Sequence, residues 1–222
     1  LLTVRATFLA SYEHSDVPKE MLIYTQTSPV IPELRDRIEA LGAATGQGRT
    51  ADAAPDLVLT DQPAALPAEG GAWVVALSSQ GGVMPYVGPF VLDRRHPLCE
   101  GLHLQGVVWA AGLTEVTGDP VVMAGDVKLL TDTADARGRH LVRVNLKSDR
   151  STLPMTDAWP VLIANMVSWR ARSLPGPARR NVALGDRVEV MLAPGVEAAE
   201  VEEPGGARRQ LKGVGGVASL VA

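Results

Sequence analysis

Two near-continuous apolar runs, DLVLT at 56–60 and WVVAL at 73–77, most constrain what this chain can fold into. A run with no polar alternation must be covered on both faces, as a strand inside a parallel sheet is. MLIYTQ at 21–26 has the same character and leads into Thr27, Ser28 and Pro29. Ser28 suits a helix N-cap and Pro29 the first helical position, where its missing N–H costs nothing. Ile31, Leu34, Ile38 and Leu41 then recur at helical spacing, with Arg35, Asp36, Arg37 and Glu39 on the wet side, and Gly42 ends the helix. Strand, capped helix and strand make a βα unit. The loop SSQGG at 78–82 follows a strand's carboxyl end, where open parallel sheets tend to hold ligands.

Residues 86–93, 107–111, 121–123, 128–130 and 141–145 read as shorter strands whose turns carry Gly, Pro and Asp. Asp126 and the stretch 132–138 have hairpin or loop chemistry. Asp157 is placed to cap a helix over 158–172, with Trp159, Leu162, Ile163, Met166 and Trp169 as its apolar stripe and Pro160 tolerated in the first turn. LPGP at 174–177 is the clearest linker. Beyond it the period changes: 187–192, 199–203 and 210–214 alternate polar and apolar, which is β-hairpin patterning. The expected organisation is therefore a doubly wound, mostly parallel α/β domain over 1–174 and a partial β-rich, sandwich-like segment over 175–222.

The chain's 222 residues, 46% of them hydrophobic, suffice for a sizeable core. With aromatics at 4%, that core must be built mainly from Val, Leu, Ala and Ile. The formal net charge of -4 argues against a nucleic-acid binder that relies on a basic field. The pairs Arg94-Arg95, Arg179-Arg180 and Arg208-Arg209 read as solvated loop charges. Cys99 is the single cysteine, so no internal disulfide and no cysteine-based zinc site is expected. No run approaches the ~18 apolar residues that span a membrane. The start at LLTVRAT without Met and the abrupt end at GVASLVA read as a piece of a larger protein.

The chemistry-bearing residues are few. Cys99 lies in RRHPLCEG, a Pro-flanked loop without the glycine elbow that presents a nucleophile. Ser79 occupies the place after WVVAL where such an elbow would fall, but the glycine before the serine is missing. His96 and His103 could serve as acid–base groups, as imidazoles can, though no paired nucleophile is evident. His14 with Glu13 and Asp16 could offer three metal ligands, yet three within four residues rarely converge on one ion. No metal site is expected there, and a solvated loop is favoured. GQG at 46–48 lacks the third glycine and the acidic follow-up of a dinucleotide fingerprint, and no P-loop is present, so no cofactor is expected. Ser79, Cys99 and His96 remain as catalytic candidates, and a non-catalytic role is favoured over each.

From about Asp52 onward, several short motifs occur in a telling order. These are His96-Pro97-Leu98, Gly101-Leu102, Gly106-Val107-Val108-Trp109, Val144-Asn145-Leu146, Ser148-Asp149, Trp159-Pro160-Val161-Leu162, Asn165-Met166-Val167 with Trp169, and Leu184-Gly185-Asp186. In this order they resemble the extracytoplasmic region of bacterial membrane proteins of the Bat (aerotolerance) type, which carry a von Willebrand factor A domain. That region is similar to class I glutamine amidotransferases. The resemblance implies an amidotransferase-like (flavodoxin-like) fold without an enzyme's machinery, and protein partners in a membrane-associated assembly. It also implies an extracytoplasmic location, with membrane attachment only through segments absent from this chain. Residues 12–29, YEHSDVPKEMLIYTQTSP, and ATGQGRT at 44–50 resemble a soluble segment of the flippase-activity-associated family, which is similar to glycosyltransferases. The leading expectation is a non-catalytic interaction or scaffold domain. The alternatives are a hydrolase or amidotransferase-like enzyme using Ser79 or Cys99 with His96, and a soluble fragment of a glycosyltransferase-like membrane protein.

Overall fold

The computed structural model describes residues 2–7, 20–26, 55–61, 65–177, 185–193, 195–202 and 208–221. In chain order the strands are β1 (Leu2–Thr7), β2 (Glu20–Gln26), β3 (Leu57–Thr60), β4 (Trp73–Leu77), β5 (Val83–Val87), β6 (Phe90–Leu92), β7 (Val108–Gly112), β8 (Asp119–Ala124), β9 (Val127–Asp132) and β10 (Leu141–Val144). A helix, α1 (Ala158–Ser173), follows, and then β11 (Gly176–Pro177), β12 (Arg187–Met191), β13 (Ala198–Glu202), β14 (Arg208–Lys212) and β15 (Val217–Val221). Eight strands form one sheet in the order β1-β2-β3-β4-β10-β9-β8-β6. β2, β3, β4 and β10 run parallel. The pairings β1–β2, β10–β9, β9–β8 and β8–β6 are antiparallel.

This overturns the expected doubly wound, flavodoxin-like sheet of the class I glutamine amidotransferase type. A doubly wound fold alternates strand and helix. Here the chain between β4 and β10 lays down five strands and no α-helix, and half of the large sheet is antiparallel. The reason lies in the turns. β8 and β9 are joined by Gly125-Asp126 alone, with Gly125 at a positive φ of 57°. A two-residue connection of this kind makes an antiparallel hairpin and needs no crossover helix. Among the described residues α1 is the one α-helix; the helix expected over 29–41 lies outside them.

The stretch expected as one strand over 86–93 is two. It breaks at Gly88-Pro89, a cis peptide, and its halves join different sheets, β5 with β7 and β6 with β8. β4 is buried along its whole length. Trp73, Val75 and Leu77 join the core with Trp159, Leu162, Ile163 and Met166 of α1, while Val74 and Ala76 alternate to the opposite face and are buried there too. Burying each large apolar side chain of α1 contributes about 2 kcal/mol. The expected cap would add only about 1 kcal/mol, and it is absent: Asp157 makes no side-chain cap bond. A 3₁₀ turn (Leu153–Met155) leads into the helix instead. Packing, not capping, holds α1.

β7 shows a further substitution of side chains for a strand. Its outward backbone groups are taken by the segment after β10. Asn145 exchanges two hydrogen bonds with Gly112, Ser151 Oγ accepts from Ala110 N at 2.7 Å, and Thr152 Oγ1 accepts from Val108 N at 2.8 Å. The C-terminal strands form a β11-β12-β15 sheet and a β13–β14 hairpin, which share no strand with the large sheet.

Candidate functional site

The densest group of titratable side chains gathers at the amino ends of β4 and β10. β9 and β10 are antiparallel, and Thr133 and Leu141 exchange both backbone bonds across them. This sets Asp132, the last residue of β9, beside His140, the residue before β10. The connecting loop is closed by Asp135, which accepts from the backbone N–H of Arg137 and Arg139, both at 2.9 Å, and from Arg139 Nε at 2.8 Å. His140 Nδ1 donates to Asp132 Oδ2 at 2.7 Å. His96 approaches the same oxygen from the other side, Nε2 to Oδ2 at 3.5 Å. Its Nδ1 accepts from Leu98 N–H at 3.3 Å, which assigns the ring proton to Nε2. Asn165 of α1 anchors the turn after His96 by donating to Leu98 O and Glu100 O.

Aromatic rings surround the triad. Trp169 packs against His96 at 4.8 Å and His140 at 4.4 Å between centroids, and Trp73 against His140 at 4.3 Å. Arg170 lies over Trp73 at 5.0 Å and donates to Asp56 O and Gly71 O, tying α1 to the entries of β3 and β4. Burial pushes the Asp132 carboxyl up, but the hydrogen bonds and charges of His140 and His96 outweigh it and hold the group at about 2. Its Oδ1 is buried with no hydrogen-bond partner. His140 Nε2 makes no hydrogen bond among the described residues. Among the described residues, no hydroxyl or thiol bonds to either imidazole ring.

The candidates drawn from the sequence do not converge. Cys99 is 1% exposed, and its Sγ lies 3.7 Å from Val121 O. Burial and then the charge of Asp93 push its thiol up to about 11 against the pull of Arg94, so it is not a thiolate at neutral pH. Ser79 follows β4, and the chain then runs into β5 rather than a helix, so there is no strand-to-helix elbow. Ser79 follows the carboxyl end of β4, whereas the Trp73 ring at its amino end packs on His140 of the Asp132 group that His96 joins. His96 bonds to Asp132 and the Leu98 amide, and neither Ser79 nor Cys99 Sγ is among its partners. His103 is exposed in a cleft of about 400 Å³ with Phe90 and Arg94. Glu13, His14 and Asp16 lie outside the described residues. Among those described, no group of three His, Cys, Asp or Glu side chains is arranged to hold a metal ion.

Sequence reasoning missed His140 and Asp132. The pair could have been found as an Asp and a His flanking a Gly-containing turn between two apolar runs, since antiparallel pairing places such residues side by side.

A second feature is the two-stranded β5–β7 ribbon. Its outer strand is exposed and apolar: Val83, Met84 and Val87, the last 68% exposed, with Leu113 beside them beyond the end of β7. The backbone bond from Leu113 N to Gly82 O sets the alternation of the ladder. By that alternation Pro85 sits on the row facing away from β7. A proline there offers no N–H to an added strand.

No family model, curated protein or solved structure matches the chain.

Proposed function

We propose that this chain is a non-catalytic interaction domain whose contact surface is the outer strand of the β5–β7 ribbon. The observation that carries the reading is the exposed pair Val83 and Val87 on one face of a strand that is already paired along one edge, with Met84 exposed on its other face. Apolar side chains clustered on a surface strand mark contact sites. Because Pro85 blunts the free edge, the contact is made by side chains and not by strand addition. The partner is a protein of a membrane-associated assembly, which the Bat-type resemblance favours together with an extracytoplasmic setting. No described helix is long and apolar enough to cross a membrane, so attachment would come from other segments.

The hydrolase alternative needs a nucleophile facing a histidine. Neither Ser79 nor the Cys99 thiol bonds to the His96 ring, and the thiol is held protonated. The glycosyltransferase alternative rests on residues 12–50, of which only β2 is described.

The test is site-specific photocrosslinking in the source cells, with the photoreactive residue placed at Val83, Val87 or, as a control, Asp126 at the tip of the β8–β9 hairpin. A discrete adduct from Val83 and Val87 and none from Asp126 is expected. A folded chain that gives no adduct from either β5 position sinks the proposal.

A further inference from the structure

At the carboxyl ends of β4 and β10 the sheet opens into a cleft of about 180 Å³, walled by Ser78, Gln80, Thr114, Glu115, Thr117 and Arg143. β4 and β10 are parallel neighbours, yet five strands separate them in the chain. The connection leaving β4 runs into β5 on one edge of β7, and the one leaving β10 into the segment bonded to its other edge. Ligands of open α/β sheets sit outside the carboxyl ends of parallel strands.

The walls are fixed. Gln80 O accepts from Thr114 N at 3.2 Å, and Gly82 O accepts from Leu113 N at 2.8 Å. The backbone of Gln80 also lies directly against Gly112, leaving no room for a side chain there. The Asn145 amide bonds Gly112 through both its oxygen and its nitrogen and serves as floor.

Among the described residues, Arg143 is the one cation lining this cleft. It projects from β10 at the level of Ala76. A single terminal nitrogen, Nη1, donates to Thr117 O at 3.3 Å and Thr133 Oγ1 at 3.4 Å. No described carboxylate pairs with it, so Nη2 and Nε remain available. The hydroxyls of Ser78 and Thr114 and the side-chain amide of Gln80 have no hydrogen-bond partner among the described residues. Glu115, on the rim, has Lys128 as its counter-ion at 3.7 Å.

We propose that this cleft binds a small monocarboxylate. The free face of the Arg143 guanidinium takes the carboxylate, and Ser78, Gln80 and Thr114 take the polar remainder of the molecule. A guanidinium fork matches a carboxylate in plane and spacing. One positive charge beside the Glu115 carboxylate selects a singly charged anion over a doubly charged phosphate. The volume lies below the roughly 300 Å³ at which pockets begin to hold drug-sized ligands, so the acid is small.

The experiment is a titration of the isotope-labelled chain, followed by amide chemical shifts. The probes are acetate, glycolate and glycine up to tens of millimolar, with chloride and inorganic phosphate at matched ionic strength. Saturable shifts confined to residues 78–80, 114–117 and 143–145 are expected from at least one of the three acids, and none from chloride. Arg143→Gln should weaken that binding at least about tenfold, the loss expected for a charged hydrogen bond. Arg143→Lys, which keeps the charge and loses the fork, should fall between. If Arg143→Gln does not fold, Ser78→Ala and Thr114→Val take its place and should each weaken binding. Silence from all three acids in the folded chain, equal shifts with chloride, tighter binding of phosphate, or unchanged affinity in the folded variants overturns the proposal.

Discussion

His140 and Asp132 meet diagonally across the end of the β9–β10 pair, joined by a 2.7 Å hydrogen bond into a carboxylate whose second oxygen is buried without a partner. Asp132 Oδ2 thus serves two imidazoles, and removing it leaves two ring N–H groups pointing at nothing. Asp132→Ala should cost about 2–3 kcal/mol, the scale for lost hydrogen bonds to a charged group. Asp132→Asn can keep an oxygen where Oδ2 accepts from both rings, but it loses the charge and buries an NH₂ without a partner in place of Oδ1, so it should recover only part of the loss. Urea unfolding at neutral pH checks both, read as a lower midpoint at unchanged slope.

The same carboxylate sets an acid limit. Its folded-state value, about 2, lies below the unfolded value of 3.8. A depressed acid contributes stability that is fully present above the unfolded value and is lost as pH falls through the folded one. The window is therefore pH 3.8 down to about 2, and the contribution is of the order of 2 kcal/mol at 1.36 kcal/mol per unit. Thermal unfolding of the parent chain should lose stability across that window, and Asp132→Asn should flatten the loss. An equally steep loss in the Asn variant would show that other carboxylates carry it.

Cys99 should be chemically silent. Its thiol is buried and pushed up to about 11, so the thiolate fraction at pH 8 is negligible. Reaction with a disulfide reagent under native conditions should wait on unfolding and reach completion at once in denaturant. Rapid native labelling would mean that the thiol is accessible, and would reopen its candidacy as a nucleophile.

The buried strands were legible because their signal is local. WVVAL and the 57–60 run announce coverage on both faces, and both are strands of the parallel half of the sheet. The stripe Trp159, Leu162, Ile163 and Met166 likewise lies in the core. What failed was the step from strands to topology. Five short strands between β4 and β10 can be arranged in many ways, and their order depends on turn geometry, not on apolar content. The candidate site was less legible still. His96, Asp132 and His140 are dispersed over 45 residues of sequence and meet only because β9 folds back against β10. Attention to nucleophiles led instead to Ser79 and Cys99, whose surroundings the sequence does not display.

Gly112 and Gln80 should tolerate no added carbon between them. A side chain at Gly112 would meet the backbone nitrogen and oxygen of Gln80, which cannot rotate away as a flexible side chain could. Gly112→Ala should therefore cost about 3 kcal/mol, the upper end for overpacking, and displace the loop over 78–82. Unfolding midpoints give the cost, and amide shifts limited to that loop and its neighbours would locate it.

Asn145 should be the most sensitive polar position near β7. Its side chain accepts from Gly112 N at 2.8 Å and donates to Gly112 O at 3.0 Å, standing in for a neighbouring strand. Its own carbonyl also accepts from the buried Trp109 Nε1 at 2.8 Å. Asn145→Ala leaves both Gly112 groups buried and unpaired, at roughly 1–3 kcal/mol for each. Asn145→Asp keeps the acceptor but sets a carboxylate oxygen against Gly112 O, so it should be no better than Ala at neutral pH. As the Asp side chain becomes protonated it regains a donor, and its deficit should shrink as pH is lowered toward 4. Paired denaturation curves of the two variants at neutral and mildly acidic pH decide the matter. A constant gap between them would mean that the donor half of this exchange contributes nothing.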